Sequence, residues 1–131
     1  MALTLEEANR VIAGSLAKAW ELKINVSVAV CDLGGRLVAF QRMDNTMWAS
    51  AYGSQGKAVA SASFGMPSGD LTARAEHPTM RGIAAAEGRH MIMGRGAMPI
   101  IRDGVVDGAC GVGGGTGEED EICARAGVEM L

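Results

Sequence analysis

The run Gly111-Val112-Gly113-Gly114-Gly115-Thr116-Gly117 is one of two places where residue type and spacing point to chemistry. Successive glycines let backbone N–H groups converge. Where such a loop leads a strand into a helix, the helix dipole adds positive potential, so a carboxylate or similar anion is favoured. A tight strand-to-helix turn needs the same glycines for its own geometry. The run is not a Walker A loop, because no Gly-Lys-Ser/Thr follows, and its strand closes a hairpin rather than opening a dinucleotide-binding unit. Gly113, Gly114 and Gly115 are therefore the candidate ligand-binding backbone. Behind them come Glu118, Glu119, Asp120 and Glu121. Acidic residues in a first helical turn complement the dipole and compete with a bound anion for the same amides. One of the four can still face a site, and Glu118 or Glu119 lies nearest the loop.

The second place is Lys57, the only charged residue between Asn45 and Gly69. Such a lysine either snorkels at a helix edge or is held as a cation in a pocket. Beside the glycine loop it would suit the same anionic group. The two histidines, His77 and His90, are too far apart for an i,i+4 metal pair, and no carboxylate spacing completes a zinc set. Either could serve as the single axial ligand that a haem iron asks for. Arg89, next to His90, is a further ligand-binding candidate; Arg81 and Arg95 are available for polarising or proton-transfer roles. No serine stands in a Gly-x-Ser-x-Gly elbow, so triad hydrolysis has no support.

The elements that position these residues are legible from periodicity. Thr4 and Glu7 form a capping box, and Ala8, Val11, Ile12, Ser15, Leu16 and Ala19 recur at helical spacing, predicting an amphipathic helix to about Lys23. Val26, Val28 and Val30 alternate with Ser27, Ala29 and Cys31 as in a half-buried strand; Asp32-Leu33-Gly34-Gly35 turns the chain into a second strand from Arg36 to Arg42. Asn45 and Thr46 are candidate caps for a helix from Met47 to Phe64 whose small, uncharged side chains call for close packing on a sheet or another chain. Ser68-Gly69-Asp70 can start a third helix that His77-Pro78 interrupts, with loop and a short strand from Glu76 to Arg95. Met98 to Arg102, Asp103-Gly104 and Val105 to Val112 read as a second hairpin, and Glu118 to Met130 as a last helix. No βαβ crossover is required, so the fold class is α/β in the α+β sense: an antiparallel sheet with helices on both faces.

Composition sets the outer bounds. The chain has 131 residues, the size of one domain, read as a single unit over 1–131. A net charge of -3 with no basic cluster argues against nucleic acid and anionic membranes as partners. No apolar run is long enough for a membrane helix, and Met1 to Glu7 carries no export signal, so the expectation is a cytoplasmic protein. Cys31, Cys110 and Cys123 fit no metal spacing and read as reduced packing thiols.

With these pieces in order, the chain resembles the GlcG/HbpS-like family, which includes the C-terminal domain of PduO proteins and OrfY-type proteins. The resemblance rests on Leu3-Thr4-Leu5-Glu6-Glu7-Ala8, Val26 through Gly35, Phe40-Gln41-Arg42-Met43-Asp44 and Lys57-Ala58. It continues through Pro99-Ile100, Gly108-Ala109-Cys110-Gly111-Val112, Gly114 and Glu118 to Glu121, and so covers essentially the whole chain. Two departures are Gly113, where the family often has Ser, and Gly96-Ala97-Met98-Pro99, where a Gly-Gly-x-Pro pattern is common. The resemblance implies a profilin-like three-layer sandwich, self-association into dimers or larger homo-oligomers, and links to haem and to catabolic operons. The expected function is small-molecule binding, with haem or a related tetrapyrrole as ligand; the alternative is an isomerase, hydratase or lyase acting on a small carboxylate.

Overall fold

The computed structural model describes residues 2–88 and 90–131. Helix α1 (Leu5–Leu22) opens on the expected capping box: the Thr4 hydroxyl accepts from the Glu7 N–H, and the Glu7 carboxylate accepts from the Thr4 N–H. Lys23 ends it in the left-handed conformation. Strands β1 (Ser27–Asp32) and β2 (Leu37–Arg42) form the first hairpin, and β3 (Ala97–Arg102) and β4 (Val105–Gly113) form the second around Asp103 and Gly104, both at positive φ. The remaining helices are α2 (Ala49–Phe64), α3 (Pro78–Ala86) and α4 (Gly117–Val128), with a 3-10 turn at Ser68–Arg74.

The sheet has the order β2-β1-β4-β3, antiparallel throughout. Helix α2 covers one face; α1 and α4 pack together on the other. This is the antiparallel sheet with helices on both faces that the pattern predicts. The two layers of side chains differ sharply. Val26, Val28, Val30, Ile100, Cys110 and Val112 meet α1 and α4 in the main core. Toward α2 the same strands present Ser27, Ala29, Cys31, Ala109 and Gly111, so that helix rests almost backbone to backbone on the sheet. A side chain at Gly111 would run into the Ser54 carbonyl and come within 2.8 Å of the Ala58 nitrogen. The small composition of α2 is thus used up by its own sheet.

Four expectations change. β1 is buried on both faces, not half-buried, because it is a central strand with helices above and below. Helix α2 begins at Ala49 behind an uncapped Trp48; Asn45 and Thr46 lie in the preceding turn, where Asn45 adopts positive φ. The helix expected from Ser68 is a 3-10 turn that does stop before His77-Pro78, and Pro78 then starts α3, since the first helical position needs no N–H donor. The segment read as loop and strand from Glu76 to Arg95 therefore holds a helix. Met80, Ile83 and Ala84 recur there at helical spacing, but the helix is only nine residues long and buries only Met80.

Candidate ligand-binding cleft

In the loop after β4 one backbone N–H, that of Gly115, meets a carboxylate of the chain itself. Asp120, in the first turns of α4, accepts from the Gly115 N–H at 2.8 Å and from the Lys57 ammonium at 3.1 Å. Lys57 also donates to the Arg95 carbonyl at 3.3 Å. Both charged side chains are buried, at 8% and 3% exposure. Burial pushes the Asp120 carboxyl above its usual range, against the opposing pull of Lys57 and of the Gly115 N–H. Lys57, then, neither snorkels nor faces a free ligand; it neutralises an internal carboxylate. Gly113 faces α2, where a side chain would meet the Ser50 carbonyl at 2.9 Å, while Gly114, at positive φ, abuts the Asn25 carbonyl. The rest of the acidic run divides its work. Glu119 caps α4 through the Thr116 N–H, Glu121 takes the Arg95 guanidinium at 2.9 Å, and Glu118 stands exposed.

A cleft of about 330 Å³ opens elsewhere, between the β1–β2 hairpin, α2 and the segment after α3. Ala29, Ala58 and Cys31 close it underneath and are buried between sheet and helix, while Leu37, Val59 and Ile92 are its accessible apolar walls. Burial pushes the Cys31 thiol up to about 12, so it is a neutral thiol at physiological pH. The polar groups stand at the mouth: His90, Tyr52, Gln55 and the facing pair Arg36 and Glu87. His90 reaches the rim because the following residues dock on α2. The Ile92 N–H donates to the Gly56 carbonyl at 3.0 Å, and Gly56 leaves room for the Ile92 side chain, which a Cβ there would strike.

The family model described as haem degrading protein HbpS-like matches residues 3–129. The chain belongs to the HbpS-like family. Among solved structures it is similar to protein ORFY of Klebsiella pneumoniae, at 29% identity and a TM-score of 0.89 over 98% of this chain and 89% of that one. It is also similar to a double mutant of HbpS from Streptomyces reticuli, at 27% identity and a TM-score of 0.88 over 100% of this chain and 88% of that one. The fold is shared as well with PduOC, solved in complex with heme, at 20% identity and a TM-score of 0.88 over 100% of this chain and 96% of that one.

Of the site residues singled out in this HbpS-like chain, the structure brings His90 to the cleft and gathers Lys57 and Gly115 around Asp120. His77 stands exposed at the start of α3, whereas His90 follows its end. With nine residues between them in helix, about 13 Å of rise separates the two ends. Arg89 lies outside the described residues. Arg81 is exposed on α3, and the Arg95 side chain is committed to Glu121. Sequence reasoning passed over Arg36, Tyr52, Gln55 and Glu87. Arg36 carried a signal all the same, since it directly follows the Asp32-Leu33-Gly34-Gly35 turn that marks the family resemblance.

Proposed function

We propose that this HbpS-like protein binds haem or a related tetrapyrrole in the cleft between the first hairpin and α2, with His90 as the residue that meets the metal. The observation that carries the reading is an imidazole at the rim of a cleft with apolar walls. Leu37, Val59 and Ile92 give a ring apolar contact, and they offer no competing charge. A volume of about 330 Å³ lies at the small end of ligand pockets, so it suits one edge of a macrocycle rather than the whole of it. Bound there, haem would supply an iron centre that takes one axial nitrogen and carries its own redox chemistry. The family description, haem degrading protein HbpS-like, supports the ligand class, and PduOC, solved with heme, shares the fold. The small-carboxylate enzyme is set aside, because the cation and the amide assigned to its substrate hold Asp120 instead.

Titration with hemin should give a saturable, shifted and sharpened Soret band near one equivalent. His90→Ala should alter the band that reports the iron's ligand state, and His77→Ala should leave it unchanged. A weak, unshifted spectrum that ignores both histidines would overturn the reading. The proposal includes a cytosolic location, in keeping with three free, buried thiols, and self-association, which is argued below.

A further inference from the structure

We infer that Arg36 is the counter-ion for an anionic group on the cleft's ligand, and that Glu87 holds its guanidinium at the mouth until that group displaces it. The inference rests on the cleft being the ligand site. Among the described lining residues Arg36 is the only one that is permanently cationic. Its backbone is fixed: the Arg36 and Gly34 N–H groups both donate to the Asp32 carboxylate, at 3.0 and 2.9 Å, and the Asp32 N–H donates to the Arg36 carbonyl. Its side chain is not fixed. A single contact of 3.4 Å joins Nη1 to the Glu87 carboxylate, and the Arg36 side chain is 73% exposed.

A guanidinium that binds a carboxylate well uses two parallel N–H groups at about 2.7–2.9 Å. The Glu87 contact is longer and single, and an exposed pair of this kind contributes little. Glu87 is held on the opposite wall just past α3, where its N–H closes the helix on the Ile83 carbonyl. It can restrain the arginine without following it. The ligand class this arrangement selects has an apolar body for the walls of Leu37, Val59 and Ile92 and a carboxylate at its edge, aligned with the fork of Arg36. Hydrophobic contact alone would accept the neutral ester equally well; the arginine makes the acid the preferred form.

Hemin and hemin dimethyl ester separate these cases, because they share the ring and differ in the carboxylates. Arg36→Gln should weaken hemin binding about tenfold and leave the ester unchanged, while Glu87→Gln should tighten hemin severalfold by removing the competing carboxylate. Equal effects on acid and ester, or none on either, would overturn the counter-ion. Hemin affinity unmoved in Glu87→Gln would remove the displacement step. A parallel pair, dodecanoate and dodecanol, keeps the two readings apart. If the wild-type protein ignores hemin but prefers dodecanoate, and Arg36→Gln abolishes that preference, the haem reading falls and the counter-ion stands. Dodecanoate bound no better than dodecanol, with hemin ignored, would overturn both.

Discussion

Lys57 and Asp120 carry the strongest residue-scale consequence, since two opposite charges are held out of water 3.1 Å apart and 63 positions apart in the chain. A buried pair is roughly balanced between desolvation and attraction, but removing one partner leaves a charge with no compensation. Lys57→Met should therefore cost about 3–5 kcal/mol of stability, read as a lowered urea midpoint, although methionine fills the stem's volume. Adding Asp120→Asn should recover part of the loss, because the remaining amide carries no charge. A double variant no more stable than Lys57→Met would show that the loss came from packing. Hemin affinity per folded molecule should not change in either, because the pair lines no part of the cleft. The lone lysine and the glycine loop were visible as partners in the sequence. The carboxylate between them was not singled out, since four acidic residues stood in a row and helix-dipole complementarity accounts for all four equally well.

At the scale of elements, α2 is defined by how near its backbone comes to the sheet. Gly111→Ala on β4 would put a methyl against the Ser54 carbonyl, and should cost about 3 kcal/mol, since neither strand nor helix can yield alone. Gly53→Ala, on α2 itself, meets nothing within 4 Å, and should stabilise by up to about 1 kcal/mol through helix propensity. Thermal midpoints moving in opposite directions would confirm that close approach, not glycine content as such, is what the layer requires. Two substitutions shifting the midpoint alike would refute it. Small composition in 47–64 revealed that the helix packs tightly, but not whether on its own sheet or on another chain. α3 was harder: Met80, Ile83 and Ala84 stand at helical spacing, but nine residues are too few for the repeat to stand out, and Pro78 at its start reads as a breaker.

For the molecule as a whole, the surface left after α2 is seated contains an aromatic patch. Met47, Trp48 and Tyr52 are each 67–69% exposed, and the Trp48 and Tyr52 rings stack edge to face at 5.9 Å. Tyr52 belongs both to this patch and to the cleft mouth, and β2 beside it is an edge strand. Apolar surface of this kind, next to an uncovered strand, is characteristic of association sites. Sedimentation equilibrium at micromolar concentration should show at least a dimer, and Trp48→Ser with Tyr52→Ser should shift it toward monomer. A clean monomer in the unmodified protein would remove self-association from the proposal.

Hairpins, helix starts and layering are encoded by neighbouring residues and can be read without the fold. Alternating valines and an Asp-Gly turn specify hairpins, and Thr4 with Glu7 specifies a helix start, because backbone preference and capping act over a few residues. The layered class follows as well, since two hairpins among helices require no crossover. Which carboxylate Lys57 holds, the cover on both faces of β1, and a cleft beside His90 rather than at the glycine loop emerge only once the chain is folded. Those outcomes depend on contacts between residues tens of positions apart. Their strength comes from burial and from which partner the fold brings within hydrogen-bonding reach, and no local pattern records either.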